Sequence, residues 1–269
     1  MSTVSEALRV SVVQGDTRWH DPAGNRDYYA SLIAPLAGRS DLVVLPETFT
    51  SGFSNAAIDS AEGMDGPTLK WLREQAQALD AAMCGSVQLR VGSRVFNRLL
   101  FVLPDGELHH YDKRHLFRYA DEHKRYAAGD ERIVVSWRGW RICPLVCYDL
   151  RFPVFSRNRH RKESGFDYDM LLYVANWPTP RVHAWRTLLR ARAIENLCYC
   201  VGVNRVGRDG NGHDYPGDSA VLDFLGQPLS EAGAQEVVAT TTLSLSALST
   251  YREQFPAWMD ADRFVVGDS

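Results

Sequence analysis

The chain has 269 residues, of which 45% are hydrophobic and 23% charged, as is usual for a soluble globular protein with a full core. Its 30 Lys and Arg residues and 33 Asp and Glu residues give a net charge of −3, so no basic field is available to bind nucleic acid or anionic lipid. No uninterrupted apolar run approaches the roughly 18 residues of a membrane span, and the stretch around Glu6 lacks the apolar segment of a signal peptide.

The five cysteines are an odd number in a large chain, which favours reduced thiols and a cytoplasmic location over a disulfide scaffold. The spacings Cys143/Cys147 and Cys198/Cys200 differ from the CxxC pairs of structural zinc sites, and both lie in apolar, strand-like runs. We therefore expect no metal.

Apolar periodicity and turn residues predict strands alternating with helices in the first half of the chain. Asp21 is a candidate N-cap of the first helix, with Pro22 in its first turn. In chain order the pattern predicts a strand over 8–14, a helix over 21–36, a strand over 41–46, an exposed loop over 48–63, a helix over 66–80, and strands over 83–89, 94–103 and 108–111.

The second half continues this pattern and then gives way to antiparallel pairs. The predicted elements are a hairpin of 133–137 with 140–146, a helix starting over 153–159, a strand over 170–175, a helix over 182–196, and strands over 198–204, 217–223 and 236–243. No linker or repeat divides them, so we expect one α/β domain over residues 1–269, with helices covering stacked sheets.

The C-terminal tail, about residues 245–269, contains Phe255, Trp258 and Phe264 and has no obvious core partner. Exposed aromatic residues in a tail indicate packing against another subunit. The alternative is that they cover their own domain, and the sequence favours neither.

The stretch PLVCYDLRFP, residues 144–153, places Cys147 at the end of a predicted buried strand. A thiol on a sharp strand-to-helix turn points away from the core, and the free N–H groups of the turn point at the group that the sulfur attacks. Such N–H groups also favour the thiolate over the thiol. The alternative is that Cys147 only fills the core, as most free cysteines do.

Glu47, Lys113 and Asn176 also directly follow predicted strands. Because sites in open α/β sheets form at the carboxyl ends of strands, we expect these side chains to meet Cys147 at one edge. A carboxylate can accept the proton of the thiol and return it to a leaving amine, and lysine can stabilise an oxyanion together with the Tyr148 backbone N–H. The alternatives are a helix cap or solvated loop for Glu47 and a surface position for Lys113.

Three motifs in this order, LPETFTSGF, YDKRHLF and VCYDLRFP, resemble the glutamate, lysine and cysteine motifs of the nitrilase (carbon–nitrogen hydrolase) superfamily. The resemblance extends from Val10 to about Thr242. HLFRYADEH, CYDLRFP and VANWPTPR are most similar to the ω-amidase branch, the YafV-like and Nit2-like enzymes. The resemblance implies a four-layer αββα sandwich that pairs into homodimers.

The resemblance also implies roles for individual residues. Glu47 is the base, Lys113 the oxyanion-stabilising lysine and Cys147 the nucleophile, and Glu122 matches a second glutamate that helps to position the lysine or the substrate. The implied reaction converts small ω-amides of 2-oxo acids, 2-oxoglutaramate and 2-oxosuccinamate, into the acid and ammonia through a thioester, without metal or cofactor.

A substrate of this kind has a distal carboxylate that needs cations or N–H donors. Arg151, Arg181 and His115 are the candidates, although Arg151 can equally form a structural salt bridge with Asp149 or another acid. The remaining candidate substrate-binding residues line the pocket rather than carry charge; they are Tyr148, Phe117, Asn176 and Trp177.

Two other functions remain open on the sequence. The chain can be another hydrolase with the same chemistry, acting on a nitrile, an N-carbamoyl compound or a different amide. It can also be a non-catalytic binding protein on this fold, for which we would expect one of Glu47, Lys113 or Cys147 to be missing, and all three are present.

Overall fold

Two six-stranded mixed sheets form the centre of the protein. The computed structural model describes residues 6–262, 264 and 265. In chain order, the strands are β1 (Ala7–Gln14), β2 (Leu42–Val44), β3 (Ala82–Val91), β4 (Arg94–Val102), β5 (Leu108–Asp112), β6 (Val135–Trp137), β7 (Trp140–Val146), β8 (His160–Arg161), β9 (Gly165–Phe166), β10 (Met170–Ala175), β11 (Tyr199–Asn204), β12 (Val206–Arg208), β13 (Asp214–Pro216), β14 (Ala220–Leu222), β15 (Pro228–Glu231) and β16 (Val237–Ser244).

The two sheets have related topologies. The first has the order β16-β1-β2-β3-β4-β5 and the second β15-β14-β11-β10-β7-β6, while β8 with β9 and β12 with β13 form short ribbons. In each sheet three central strands are parallel, β1-β2-β3 and β7-β10-β11, and the outer strands are antiparallel. Each sheet therefore has one edge at which parallel strands end together.

Alternate residues along the strands of the first sheet enter two different apolar clusters. Leu42 and Val44 belong to the cluster that also contains the second sheet, whereas Val43 belongs to the cluster beneath the helices. On β4, Leu99 faces the first cluster and Leu100 the second. Because successive side chains of a strand point to opposite faces, a strand covered on both faces must be apolar throughout, as the sequence indicated.

Helices cover the outer faces of the two sheets. The helices are α1 (Pro22–Ile33), α2 (Pro67–Leu79), α3 (Pro153–Ser156), α4 (Val182–Asn196) and α5 (Leu245–Gln254). The α1 and α2 helices contribute Ile33 and Leu72 to the outer cluster of the first sheet, and α4 packs Leu189 against the second. The layers are thus helix, sheet, sheet, helix, and the predicted αββα sandwich is confirmed.

The predicted helix starts agree with the observed caps. The Asp21 side chain accepts a hydrogen bond from Gly24 N at 2.9 Å, and Pro22 is the first residue of α1. The α4 helix has the predicted bounds, and its C-cap is Leu197, whose φ of 48° is left-handed. Among the described residues, no helix combines the length and the apolar character that crossing a membrane requires.

Two local predictions were wrong, and the short strands β8, β9, β12, β13 and β15 were not predicted. The first part of the 48–63 loop is buried rather than exposed, because Thr48 N donates to Ser86 Oγ, Phe49 N to Ser86 O, and Ser51 Oγ to Gln88, bonds that replace water. The helix expected over 153–159 ends at Ser156. Strand β15 was not predicted, since Leu229 is the only apolar residue in it and it pairs at a sheet edge.

The C-terminal tail covers its own domain over much of its length. Leu248 of α5 is fully buried, Arg252 Nη1 lies 2.9 Å from Asp169 Oδ1, and the Trp258 ring stacks on His160 with a centroid distance of 3.7 Å. Phe255 and Met259 nevertheless remain 54% and 66% exposed. The last part of the predicted tail, residues 263 and 266–269, lies outside the described residues.

Candidate active site

Cys147 lies directly after β7, at the first position of a 3₁₀ turn formed by Cys147–Arg151. Its φ is 45°, in the left-handed region that residues other than glycine rarely adopt. The turn is fixed by Asp149, whose Oδ2 accepts a hydrogen bond from Val146 N at 3.0 Å. Cys147 as a residue is partly exposed and lines a cavity, and its sulfur lies 4.0 Å from Asn176 O.

Asp149 joins the turn to the lysine motif. Its carboxylate accepts hydrogen bonds from Tyr111 Oη at 2.8 Å, His115 N at 3.0 Å and His115 Nδ1 at 2.7 Å. The prediction of His115 as a carboxylate-binding residue was therefore wrong, because its ring is held by Asp149 and stacks on Phe152. These bonds also occupy Asp149, which excludes the alternative of an Arg151–Asp149 salt bridge.

Glu47, Lys113 and Glu122 form a buried charged cluster. Lys113 Nζ lies 3.0 Å from Glu47 Oε1, and 3.1 and 3.0 Å from the two carboxylate oxygens of Glu122. All three side chains are at most 1% exposed. The alternatives of a solvated Glu47 and a surface Lys113 are therefore wrong.

Burial and charge act against each other in this cluster. Burial by itself would lower the pKa of Lys113, but the carboxylates of Glu122 and Glu47 raise that pKa well above its usual value. Burial raises the pKa of Glu122 despite the attraction of Lys113. Burial and the charge of Glu47 raise the pKa of the Cys147 thiol well above its usual value, against the influence of Lys113. The direction of this shift runs against the expectation that the turn favours a resting thiolate, and burial is its largest cause.

Asn176, which follows β10, fixes the other side of Glu47. Its backbone N–H donates to Glu47 Oε2 at 2.7 Å, and its side-chain Nδ2 donates to Glu47 O at 2.7 Å and to Thr48 Oγ1 at 3.0 Å. Asn176 Oδ1 is buried without a hydrogen-bond partner among the described residues. The side chain therefore holds Glu47 through its nitrogen and has a free acceptor.

These groups meet at a cavity of about 630 Å³. Of the residues singled out from the sequence, Glu47, Lys113, Cys147, Tyr148, Arg151, Phe117, Asn176, Trp177 and Arg181 line it. Glu122 does not reach the wall and contacts Lys113 from behind, with Phe117 N donating to its Oε2 at 2.5 Å. Strand ends far apart in the sequence thus place a thiol, a carboxylate and an ammonium group in one cavity.

Arg151 and Arg181 lie on aromatic rings and not on acids. The Arg151 guanidinium is 5.0 Å from the Trp177 ring centroid, and that of Arg181 is 5.3 Å from Phe117 and 4.8 Å from Tyr119. Within the part of the chain that the structure describes, neither guanidinium has an ion pair, so each remains available to an anion.

The sequence analysis missed several contributions to the site, among them Asn97, the 53–56 segment and the segment between β12 and β13. Asn97 on β4 contacts the charged cluster from inside the protein, and its only signal is a polar residue within the apolar run FNRLLFVLP. The segment between β12 and β13 also lines the cavity through Asp209, Asn211 and His213, followed by Tyr215 on β13. Its glycine-rich sequence, RDGNGHDY, indicates a turn but not where the turn packs.

Comparison with known proteins identifies the family. The sequence matches the family model described as carbon-nitrogen hydrolase over residues 9–253. The chain belongs to the carbon–nitrogen hydrolase family. This confirms the resemblance inferred from the three motifs, and the protein is an enzyme of that class.

Similar carbon–nitrogen hydrolases match over nearly their full lengths. Omega-amidase YafV from Escherichia coli K12 is 49% identical over 258 residues, which cover 96% of this chain and 98% of the relative. 2-Oxoglutaramate amidase from Bacillus subtilis is 32% identical, with coverages of 93% and 96%. XC1258 from Xanthomonas campestris, a CN-hydrolase superfamily protein whose crystal structure has an arsenic adduct in its active site, is 65% identical, with a TM-score of 0.96 and coverages of 98% and 100%.

Proposed function

We propose that this carbon–nitrogen hydrolase is an ω-amidase, which hydrolyses 2-oxoglutaramate and 2-oxosuccinamate to the 2-oxo acid and ammonia. The observation that carries the proposal is the cavity, which is lined by Cys147, Glu47 and Lys113 and by two arginines that have no acidic partner among the described residues. The similarity to an ω-amidase and to a 2-oxoglutaramate amidase over nearly the whole chain supports it.

In the first half-reaction Cys147 is the nucleophile and Glu47 is the general base. Because the raised pKa keeps Cys147 protonated at neutral pH, its proton passes to Glu47 as the sulfur attacks the amide carbon. The negative charge on the carbonyl oxygen is stabilised by Lys113 and the backbone N–H of Tyr148. Glu47 then gives the proton to the leaving nitrogen, the carbon–nitrogen bond breaks, and ammonia departs from a thioester.

In the second half-reaction a water molecule enters after ammonia has left and hydrolyses the thioester. Glu47 takes a proton from the water, which attacks the thioester carbon, and the same donors stabilise the oxyanion again. The carbon–sulfur bond breaks, the proton returns from Glu47 to the sulfur, and the acid is released. Glu122 positions Lys113 throughout, since it holds the ammonium group with both carboxylate oxygens.

The wall of the cavity suits a short anionic amide. Arg151 and Arg181 bind the distal carboxylate, and the rings of Phe117, Tyr148 and Trp177 enclose the carbon chain.

A substrate panel with the purified enzyme tests the proposal. We expect ammonia release from 2-oxoglutaramate and 2-oxosuccinamate to be faster than from a nitrile, an N-carbamoyl compound or a neutral amide. Faster release from any of these three would assign the same chemistry to a different substrate class.

A Cys147→Ala variant is the matched control in this panel. We expect it to lose at least about a thousandfold in kcat while its circular dichroism stays unchanged, because no other group can form the thioester. Full turnover by the folded variant would refute nucleophilic catalysis at Cys147 and assign the hydrolysis to another group.

We further propose that the enzyme is a cytoplasmic homodimer. All five cysteines are free, which suits a reducing compartment. Phe255 and Met259, with Ile194 at 50% exposure, supply apolar surface for a partner subunit. Light scattering after gel filtration tests the dimer, and a monomer mass at micromolar concentration would contradict it.

A further inference from the structure

Asn97 contacts all three members of the buried charged cluster. Its side-chain Nδ2 donates to Glu47 Oε1 at 2.8 Å and to Glu122 Oε1 at 3.4 Å. Its backbone carbonyl accepts a hydrogen bond from Lys113 N at 3.0 Å. Asn97 is fully buried on β4 and does not line the cavity, so it acts on the site only through these residues.

The orientation of the Asn97 amide is determined by chemistry. A carboxylate only accepts hydrogen bonds, so an amide oxygen facing Glu47 and Glu122 would be repelled, and the nitrogen must face them. Asn97 Oδ1 is left buried with no hydrogen-bond partner among the described residues. An unsatisfied buried acceptor destabilises the fold, so structural packing alone does not explain an asparagine here.

Asn97 also helps to decide which oxygen of Glu47 can accept a proton. Oε1 receives two donors, Asn97 Nδ2 at 2.8 Å and Lys113 Nζ at 3.0 Å. Oε2 receives the Asn176 backbone N–H at 2.7 Å and a long hydrogen bond of 3.4 Å from Asn176 Nδ2, whose shorter bonds go to Glu47 O and Thr48 Oγ1. Since each carboxylate oxygen has about two acceptor positions, the one that is most weakly bound, and that a proton can take, is on Oε2.

The buried charged cluster of Glu47, Glu122 and Lys113 has two carboxylates and one ammonium group, so its formal charge is −1. Asn97 offsets the excess negative charge with two N–H groups and adds neither a charge nor a proton. A lysine or arginine there would neutralise the base, and an apolar residue would leave the carboxylates to repel each other.

We propose that Asn97 is a positioning residue for the general base. It fills the second acceptor position of Glu47 Oε1, so that Oε2 receives the proton of Cys147 and later of water, and it holds Glu122 on Lys113. This inference rests on the role of Glu47 as the base in the proposed function. It requires no particular amide substrate.

The test compares pH–rate profiles of the wild type and Asn97→Ala, using the amide that the wild type hydrolyses fastest in the panel. We expect kcat to fall about 10- to 100-fold, the usual effect of losing a hydrogen bond to a charged group, with KM changed less than about threefold. The acid limb of the pH profile of kcat should move to higher pH, because the ionised carboxylate of Glu47 has lost the hydrogen bond from Asn97. The titratable groups facing Glu47 are Lys113, Glu122 and Cys147, with Tyr126 and Tyr215 further away.

Leu99→Ala is the matched control, since Leu99 is buried on the same strand and faces the same interior cluster as the site. We expect it to lower stability without moving the acid limb. Asn97→Ser keeps one donor in case the alanine variant does not fold, and its kcat should lie between those of the wild type and Asn97→Ala.

The inference is overturned if a folded Asn97 variant keeps kcat within twofold and an unmoved acid limb, or if Leu99→Ala moves the limb equally. A wild type that prefers a nitrile or a neutral amide would refute the substrate class of the proposed function and leave the Asn97 comparison intact.

Discussion

The sulfur of Cys147 is a thiol at rest because burial and the neighbouring Glu47 both raise its pKa. Lys113 opposes this effect, but two carboxylates already share its charge. Thiolate therefore forms when a carbonyl is in place to receive the electrons and Glu47 receives the proton. Such a nucleophile is selective for its substrate, because any other electrophile that enters the cavity meets the less reactive, protonated thiol.

Access to the sulfur should nevertheless distinguish Cys147 from the other cysteines. Cys84, Cys143, Cys198 and Cys200 have no exposed surface, whereas Cys147 opens into the cavity. We expect brief treatment with iodoacetamide to label Cys147 first, as measured by peptide mapping. Protein unfolded in urea should label all five cysteines at similar rates, and preferential labelling of another cysteine in the folded protein would contradict the assignment.

Arg151 and Arg181 should govern affinity for the anionic end of the substrate. We expect Arg151→Met and Arg181→Met each to raise KM for 2-oxoglutaramate about tenfold or more, because a charge-assisted hydrogen bond is lost while packing on the rings is largely kept. Steady-state kinetics on a neutral amide of similar length is the control, and its KM should change little.

Arg186→Met is a further control, since Arg186 pairs with Asp218 and does not line the cavity. An equal rise of KM for the neutral amide would show that the two cavity arginines shape the wall and do not bind a carboxylate.

At the scale of elements, Gly85 on β3 lets the end of β2 approach closely. A Cβ atom at Gly85 would lie 2.9 Å from Leu45 Cβ and 3.0 Å from Phe49 Cδ1, the residues on either side of Glu47. We expect Gly85→Ala to displace this segment, lowering kcat at least about tenfold and the free energy of unfolding by about 1–3 kcal/mol. Kinetics and urea denaturation measure the two effects.

Gly92, in the turn between β3 and β4, provides the comparison. Its φ is 59° and a Cβ atom there would meet nothing within 4 Å. Gly92→Ala should cost about 1 kcal/mol of stability through backbone strain and leave kcat unchanged. A loss of kcat equal to that of Gly85→Ala would mean that general destabilisation explains both.

The sequence predicts those elements whose signal is local. The α4 helix follows from its apolar spacing, and β2, β7 and β10 from short apolar runs, because a strand covered on both faces has few polar residues. The turn at Cys147 and the polar residues after strands identify the reacting groups and part of the cavity wall, but not the lining residues of the 53–56 and 209–215 segments. The burial of residues 48–54 has no such signal, since Ser and Thr there satisfy their hydrogen bonds with β3.

The positions of the single residues Asn97 and His115 likewise could not be predicted from local sequence. The position of Asn97 beside Glu47 depends on the pairing of β3 with β4, and the contact joins residues 50 positions apart. His115 lies two residues after Lys113 but faces away from the cavity, because Asp149 binds its ring. Neighbouring positions in a sequence do not determine the direction in which side chains point.

At the scale of the whole molecule, buried thiols and phenols make stability dependent on alkaline pH. Burial raises the pKa of Cys143 to about 12, and it raises the pKa values of Cys84, Cys198, Tyr168 and Tyr173 above their usual range. In the unfolded chain, cysteine ionises at about pH 8.5 and tyrosine at about pH 10. Their stabilising contribution is therefore complete below pH 8.5 and is lost as the pH rises.

We expect the urea midpoint, measured with reductant present, to fall steeply between pH 8.5 and 10.5. For each buried group, the free energy of unfolding falls by about 1.4 kcal/mol per pH unit above the pKa of that group in the unfolded chain. Cys84→Ser is not a suitable control because it buries a hydroxyl, whereas Cys84→Ala removes one titrating group and should reduce the slope. A midpoint that stays constant to pH 10.5 would contradict the burial of these groups.

The site draws its groups from both sheets: Glu47 and Lys113 follow strands of the first, Cys147 and Asn176 strands of the second. During synthesis the carboxylate and the ammonium leave the ribosome about a hundred and about thirty residues before the sulfur, respectively. On the proposed roles, a chain with one sheet assembled has a base without a nucleophile or a nucleophile without a base. On these roles the site is complete only once the two sheets have packed together, so that folding itself would switch the enzyme on.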